Sequence, residues 1–246
     1  MSNAKRNQLV DLMKDQMPLH VAGNIAISRK QSGLIIVDVV RGFCAPGGGN
    51  LAPPSLDPSI NRMVTAVATI ARSFSAERLP VFVLQEEHVP GKLEYPYPPH
   101  CERGSGEEEL MPEIAFLKQY RKTVTLKKSC ISGYVAAENG NGNSIVDWVN
   151  YNQIEDLVLV GICTDICVLQ VAHPLLSARN LDTMPVLKNV IAYLPGCGTY
   201  DLPKETAVAV GLPEYMAHPR APTEHMGLYL MQMSGVLLAR DIDFSK

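Results

Sequence analysis

The segment Gly33-Leu-Ile-Ile-Val-Asp38-Val-Val limits most strongly what this chain can fold into. An unbroken β-branched run has no polar face for water, so it suits a strand covered on both sides. Similar runs recur at 79–85, 123–126, 157–162, 184–192 and 236–239. Between them the period changes to that of helices. The clearest spans 57–75, where Asp57 is placed to cap, Pro58 suits the first helical position, and Ile60, Met63, Val64, Val67, Ile70 and Phe74 share a stripe. Further helices are predicted over 144–152, 167–180, 204–210 and 223–233. Strands alternating with helices predict an α/β fold: a doubly wound, mostly parallel six-stranded sheet with helices on both faces. The stretch 1–30 lacks a clean period and is expected to form a peripheral arm, with 31–246 a single domain.

Composition narrows the function. Lys and Arg number 22 against 25 Asp and Glu, a net charge of −3, so the basic face of a nucleic-acid or anionic-membrane binder is not expected. No apolar run approaches the roughly 20 residues of a membrane span, and no secretory signal opens the chain, so a cytoplasmic protein is expected. In that setting the six cysteines, Cys44, Cys101, Cys130, Cys163, Cys167 and Cys197, are expected to be reduced.

In an open α/β sheet, ligands bind beyond the carboxyl ends of the strands. The polar residues there are few: Asp38 after the first run; Gln85, Glu86 and His88 after the second; Lys127 and Lys128 after the third; Cys163, Thr164, Asp165 and Cys167 after the fourth. Taken singly, each has an ordinary reading: a core cysteine, a capping aspartate, a solvated lysine. Together, an acid, a lysine and a cysteine are the parts of an activated thiol nucleophile. Cys167 is expected to begin a helix, where the dipole and a lysine lower its pKa, while Asp38 exchanges a proton with it. Glu86-x-His88 with His100 twelve residues on forms a second constellation, able to hold a divalent transition metal. His20, His173, His218 and His225 show no cysteine or carboxylate arrangement, and neither a zinc-finger spacing nor a dinucleotide fingerprint is present.

The strings GLIIVDVVRGFC, PYPPHCERGSGEEEL, LKKSCISGY, VLVGICTDICV and GCGTYDLP, in this order over about 33–229, resemble the isochorismatase-like cysteine hydrolases, and within them the nicotinamidases of the plant-type branch. The resemblance implies an Asp38–Lys128–Cys167 triad, Lys128 being the lysine six residues before Tyr134. It implies an oxyanion hole from the backbone N–H groups of Cys163 and Cys167, with a cis peptide between Ile162 and Cys163. It also implies aromatic walls at Phe43 and Tyr97 and metal ligands at Glu86, His88 and His100, holding a divalent ion, zinc before iron or manganese. The implied reaction is hydrolysis of nicotinamide to nicotinate and ammonia through a cysteine thioester, with a small carboxamide as the partner and a homo-oligomer as the assembly. Three features depart from the pattern: Glu86 stands where Asp is usual, Val89 and Gly91 offer no further histidine, and Arg41 replaces an amide. These leave a carbamoyl, ureido or other small carboxamide as the alternative substrate.

Overall fold

A computed structural model describes residues 3–246. In chain order the elements are α1 (Asn3–Gln16), β1 (Val21–Ala22), β2 (Ile25–Ala26), β3 (Ser32–Val37), α2 (Arg41–Cys44), α3 (Pro58–Ala76), β4 (Val81–Glu86), β5 (Thr123–Lys128), α4 (Gly133–Ala136), α5 (Ser144–Tyr151), β6 (Asp156–Ile162), α6 (Leu169–Asn180), β7 (Asn189–Gly198), α7 (Lys204–Ala209), α8 (Arg220–Met233), β8 (Leu237–Ala239) and β9 (Ile242–Asp243). The main sheet runs β1-β8-β7-β6-β3-β4-β5, with every pairing parallel.

The apolar runs are explained by two-sided burial. Leu34 and Ile36 of β3 join Val81 and Val83 of β4 in the core under α3. Ile35 and Val37 point the other way, with Phe82 and Leu84, into a second core shared with α5 and α6. Successive side chains on a strand take opposite faces, so a strand between two layers must be apolar throughout. The α3 helix starts as its sequence indicates, with Asp57 accepting from the N–H groups of Ser59 and Ile60. Among the described residues no helix is long and apolar enough to cross a membrane.

Three features differ from the sequence reading. The main sheet has seven strands, because Val21–Ala22 pairs with β8 at its edge. Two residues are too few to carry a period. The stretch expected as a peripheral arm is tied in through this strand, through β2 pairing with β9, and through fully buried Ile27; its residues 1 and 2 lie outside the described residues. The expected 184–192 strand is displaced to Asn189–Gly198. Pro185 has no N–H for a ladder, so Met184 and Leu187 are buried in a turn instead.

From β3 the sheet grows outward in both directions, through β4 on one side and β6 on the other. The crevice beyond the ends of β3 and β6 is therefore the topological switch point, where such sheets bind ligands.

Candidate active site

Asp38 follows β3 at that point. Its backbone is left-handed, at φ 54°, a conformation that aspartate tolerates better than most residues. Its N–H donates to the Leu84 carbonyl at 2.9 Å, and its side chain is wholly buried. Lys128 arrives from the end of β5, in register with Glu86 of β4. Strand alternation separates the two adjacent lysines. Lys127 is exposed and pairs with Glu87, whereas Lys128 turns inward with no side-chain exposure.

The Lys128 ammonium sits 2.8 Å from Asp38 Oδ2, contacts Glu86 Oε2, and donates to the Cys130 carbonyl at 3.0 Å. One buried cation thus faces two buried carboxylates. Lys128 and His88 hold the Glu86 carboxyl below its usual range against the effect of burial. Burial, opposed by Lys128 and reinforced by the Glu86 charge, raises Asp38 to about 7. The charge stays on Glu86, and Asp38 becomes the group able to exchange a proton near neutrality.

Cys167 is buried beside Asp38, near enough for its thiol to act on the Asp38 carboxyl, whose two oxygens have no aligned hydrogen-bond donor. It lies inside a wide turn, Thr164–Val168, in which Ile166 N–H and Val168 N–H both donate to the Cys163 carbonyl at 3.1 Å; the regular helix starts only at Leu169. The thiol is not activated as its place in the sequence suggested. Burial pushes it well above the ordinary range, more than Lys128 draws it down. A protonated thiol requires a base, and Asp38 is that neighbour. The Ile162–Cys163 peptide is cis, as the resemblance implied.

Glu86, His88 and His100 converge, and a fourth residue joins them. Single ligand atoms from Glu86, His88, Glu94 and His100 all lie within 4.8 Å of one another. Glu94 Oε2 is 3.8 Å from His88 Nε2 and 3.7 Å from His100 Nε2. Glu86 Oε1 and His88 Nε2 approach to 2.7 Å without alignment for a hydrogen bond, leaving two buried polar atoms facing a common space. His100 Nδ1 is 2.8 Å from the Pro98 carbonyl, which fixes the ring and frees Nε2, and Ile131 N–H holds Glu94 Oε1 at 2.8 Å. Two imidazoles, two carboxylates and oriented outer partners fit a divalent transition metal. The extra methylene of Glu86 does not remove it from the group; it lets one carboxylate reach both His88 and Lys128.

Phe43 and Tyr97 flank this cluster, their ring centroids 5.7 and 6.1 Å from that of His100. Arg41 turns away. It is exposed and lines a separate surface cavity with Glu107, Glu109 and Lys118.

Sequence reasoning missed three residues here. Glu94 was legible only as a carboxylate midway between His88 and His100. Tyr200 has its phenol pushed up by burial, with Cys163, Tyr97 and Cys167 close enough to add to the effect. The reading that His218 has no carboxylate arrangement is corrected: its Nε2 is 2.6 Å from Asp165 Oδ2, across 53 residues of chain that no local pattern spans.

The chain matches the Isochorismatase domain family over residues 32–187. It is 38% identical over 243 residues to Nicotinamidase 1 of Arabidopsis thaliana, covering 98% of this chain and 99% of that one. Among solved structures, nicotinamidase from Bacillus subtilis superposes with a TM-score of 0.61 at 19% identity, over 85% of this chain and all (100%) of that one. A pyrazinamidase of Pyrococcus horikoshii in complex with zinc gives 0.57 at 17% identity, over 85% and 98%.

Proposed function

The chain belongs to the isochorismatase family, and from that premise we propose that it is a nicotinamidase, an amidohydrolase converting nicotinamide to nicotinate and ammonia with Asp38, Lys128 and Cys167 as its triad. The observation that carries this reading is the buried Asp38, ion-paired with Lys128 and next to the buried Cys167, beside a four-residue metal group.

Asp38 accepts the Cys167 proton, and the thiolate attacks the amide carbon. Lys128 balances the negative charge that passes between sulfur and carboxylate. The N–H groups of Cys163 and Cys167 receive the oxyanion; one such donor is commonly worth ~10²–10³ in rate. Asp38 then returns the proton to the departing ammonia, leaving a thioester on Cys167 Sγ. A water gives its proton to Asp38 and attacks the thioester carbon, and the protonated Asp38 restores the thiol as nicotinate leaves. Phe43 and Tyr97 provide the aromatic surface for the ring. Glu86, His88, Glu94 and His100 would hold a divalent ion, zinc in this proposal, which when bound supplies a template for the ring.

Ammonia release from nicotinamide by wild type and Cys167→Ala is the test, with mass spectrometry of acid-quenched enzyme for a thioester on Cys167. Release by wild type alone supports the reading; equal rates, or no release by metal-loaded wild type, overturn it. Of the two departures that favour a carbamoyl or ureido substrate, Arg41 lines a separate surface cavity and Glu86 stays grouped with the two histidines.

A further inference from the structure

The turn that carries Cys167 holds a charge the mechanism has not used. Asp165 lies two residues before the nucleophile with about a tenth of its side chain exposed, and His218 keeps its carboxyl below the usual range despite burial. An ionised carboxylate in this turn places negative charge beside the N–H groups that must receive the oxyanion, and in a low-dielectric pocket such a charge opposes catalysis. His218, from the distant segment after α7, answers it. Its Nε2 is 2.6 Å from Asp165 Oδ2 and its Nδ1 is 3.2 Å from the Tyr200 carbonyl. Both partners are acceptors, so each ring nitrogen of His218 faces a group that can only receive a hydrogen bond. The ring stacks on Tyr200, with centroids 4.1 Å apart and planes at 19°. On the turn's other side, a Cβ at Gly227 would lie 2.5 Å from Asp165 Cβ, so α8 is already pressed against this residue.

We propose that His218 is a positioning residue for the hydrolysis: it clamps the Cys163–Cys167 turn through Asp165 and cancels the Asp165 charge where the oxyanion forms. Asp165 needs this partner because no other basic side chain is within ion-pairing distance of its carboxylate among the described residues. The inference rests on the proposed amidase reaction with Cys167 as nucleophile.

The experiment measures kcat and KM on nicotinamide, with active sites counted by stoichiometric alkylation of Cys167. Four proteins are compared: wild type, His218→Gln, Asp165→Asn, and the double variant. His218→Gln keeps a donor of similar reach but no charge. The expected result is a fall in kcat per active thiol of about tenfold, below the ~10²–10³ cost of losing a whole oxyanion donor, with KM within twofold. Adding Asp165→Asn to His218→Gln is expected to restore most of that loss, because it removes the unbalanced charge. A purely structural role would instead lower the alkylatable fraction and make the double variant worse. Unchanged kcat in His218→Gln, a change confined to KM, or an additive double variant overturns the proposal. If His218→Gln does not fold, the double variant is compared with Asp165→Asn alone: equal kcat supports the pairing, and a further fall refutes it. Inactivity of wild type on nicotinamide refutes the underlying reaction instead.

Discussion

Replacing Lys128 by Met removes a buried cation while nearly preserving its volume, so the electrostatic consequence can be read without a cavity. The lysine has no side-chain exposure and contacts two buried carboxylates, Asp38 and Glu86. Breaking a buried pair by deleting one partner typically costs ~3–5 kcal/mol, and here two carboxylates lose the same partner. For a chain of this size each kcal/mol lowers Tm by about 2–4 °C, so Lys128→Met is expected to melt at least about 6 °C below wild type at pH 8. The deficit depends on pH in a defined direction. Without the cation, Asp38 and Glu86 have folded-state pKa values raised above their unfolded ones. The folded state then binds the extra protons, so the penalty is absent below the unfolded values near 4, grows as pH rises above them, and is complete above the raised ones. The gap between variant and wild type should shrink as pH falls from 8 toward 4, in chelator-treated protein followed by thermal and urea unfolding. A variant as stable as wild type at pH 8, or a deficit that is flat with pH, would refute the account of one cation serving two carboxylates. Ammonia release by the same variant should fall below one part in a hundred of wild type.

Asp38 must be ionised to take the Cys167 proton, and its pKa is raised to about 7; kcat/KM should therefore climb as pH passes through neutrality, and a flat profile from pH 6 to 8 would count against Asp38 as the base. Glu94→Gln should weaken retention of a divalent ion by about tenfold or more, the lower bound for disturbing ligand surroundings, measured by competition with a chromogenic chelator; unchanged affinity removes Glu94 from the ligand set. Gly161→Ala should cost more than the ~3 kcal/mol that bounds most substitutions, because φ is +130° and the new Cβ would lie 2.0 Å from the Val37 carbonyl oxygen between β3 and β6; wild-type urea stability would contradict the close approach.

The alternation of strands and helices, the two-sided burial of the central strands, and the placement of Asp38 and Cys167 just after apolar strands were legible in the sequence. These follow from periods of two and 3.6 and from local capping, and each is written within about ten consecutive residues. Tertiary structure decided the rest. Only strand pairing put Lys128 rather than Lys127 inside. Only burial, not helix position, set the Cys167 thiol high enough to need Asp38. Glu94 entered the metal group, and His218 reached Asp165, because loops folded back over the switch point. The two-residue strand Val21–Ala22 found its place against β8 near the other end of the chain. Contacts of this kind join segments far apart in the chain and leave no periodic trace in either one, so they exist as information only once the sheet has been assembled.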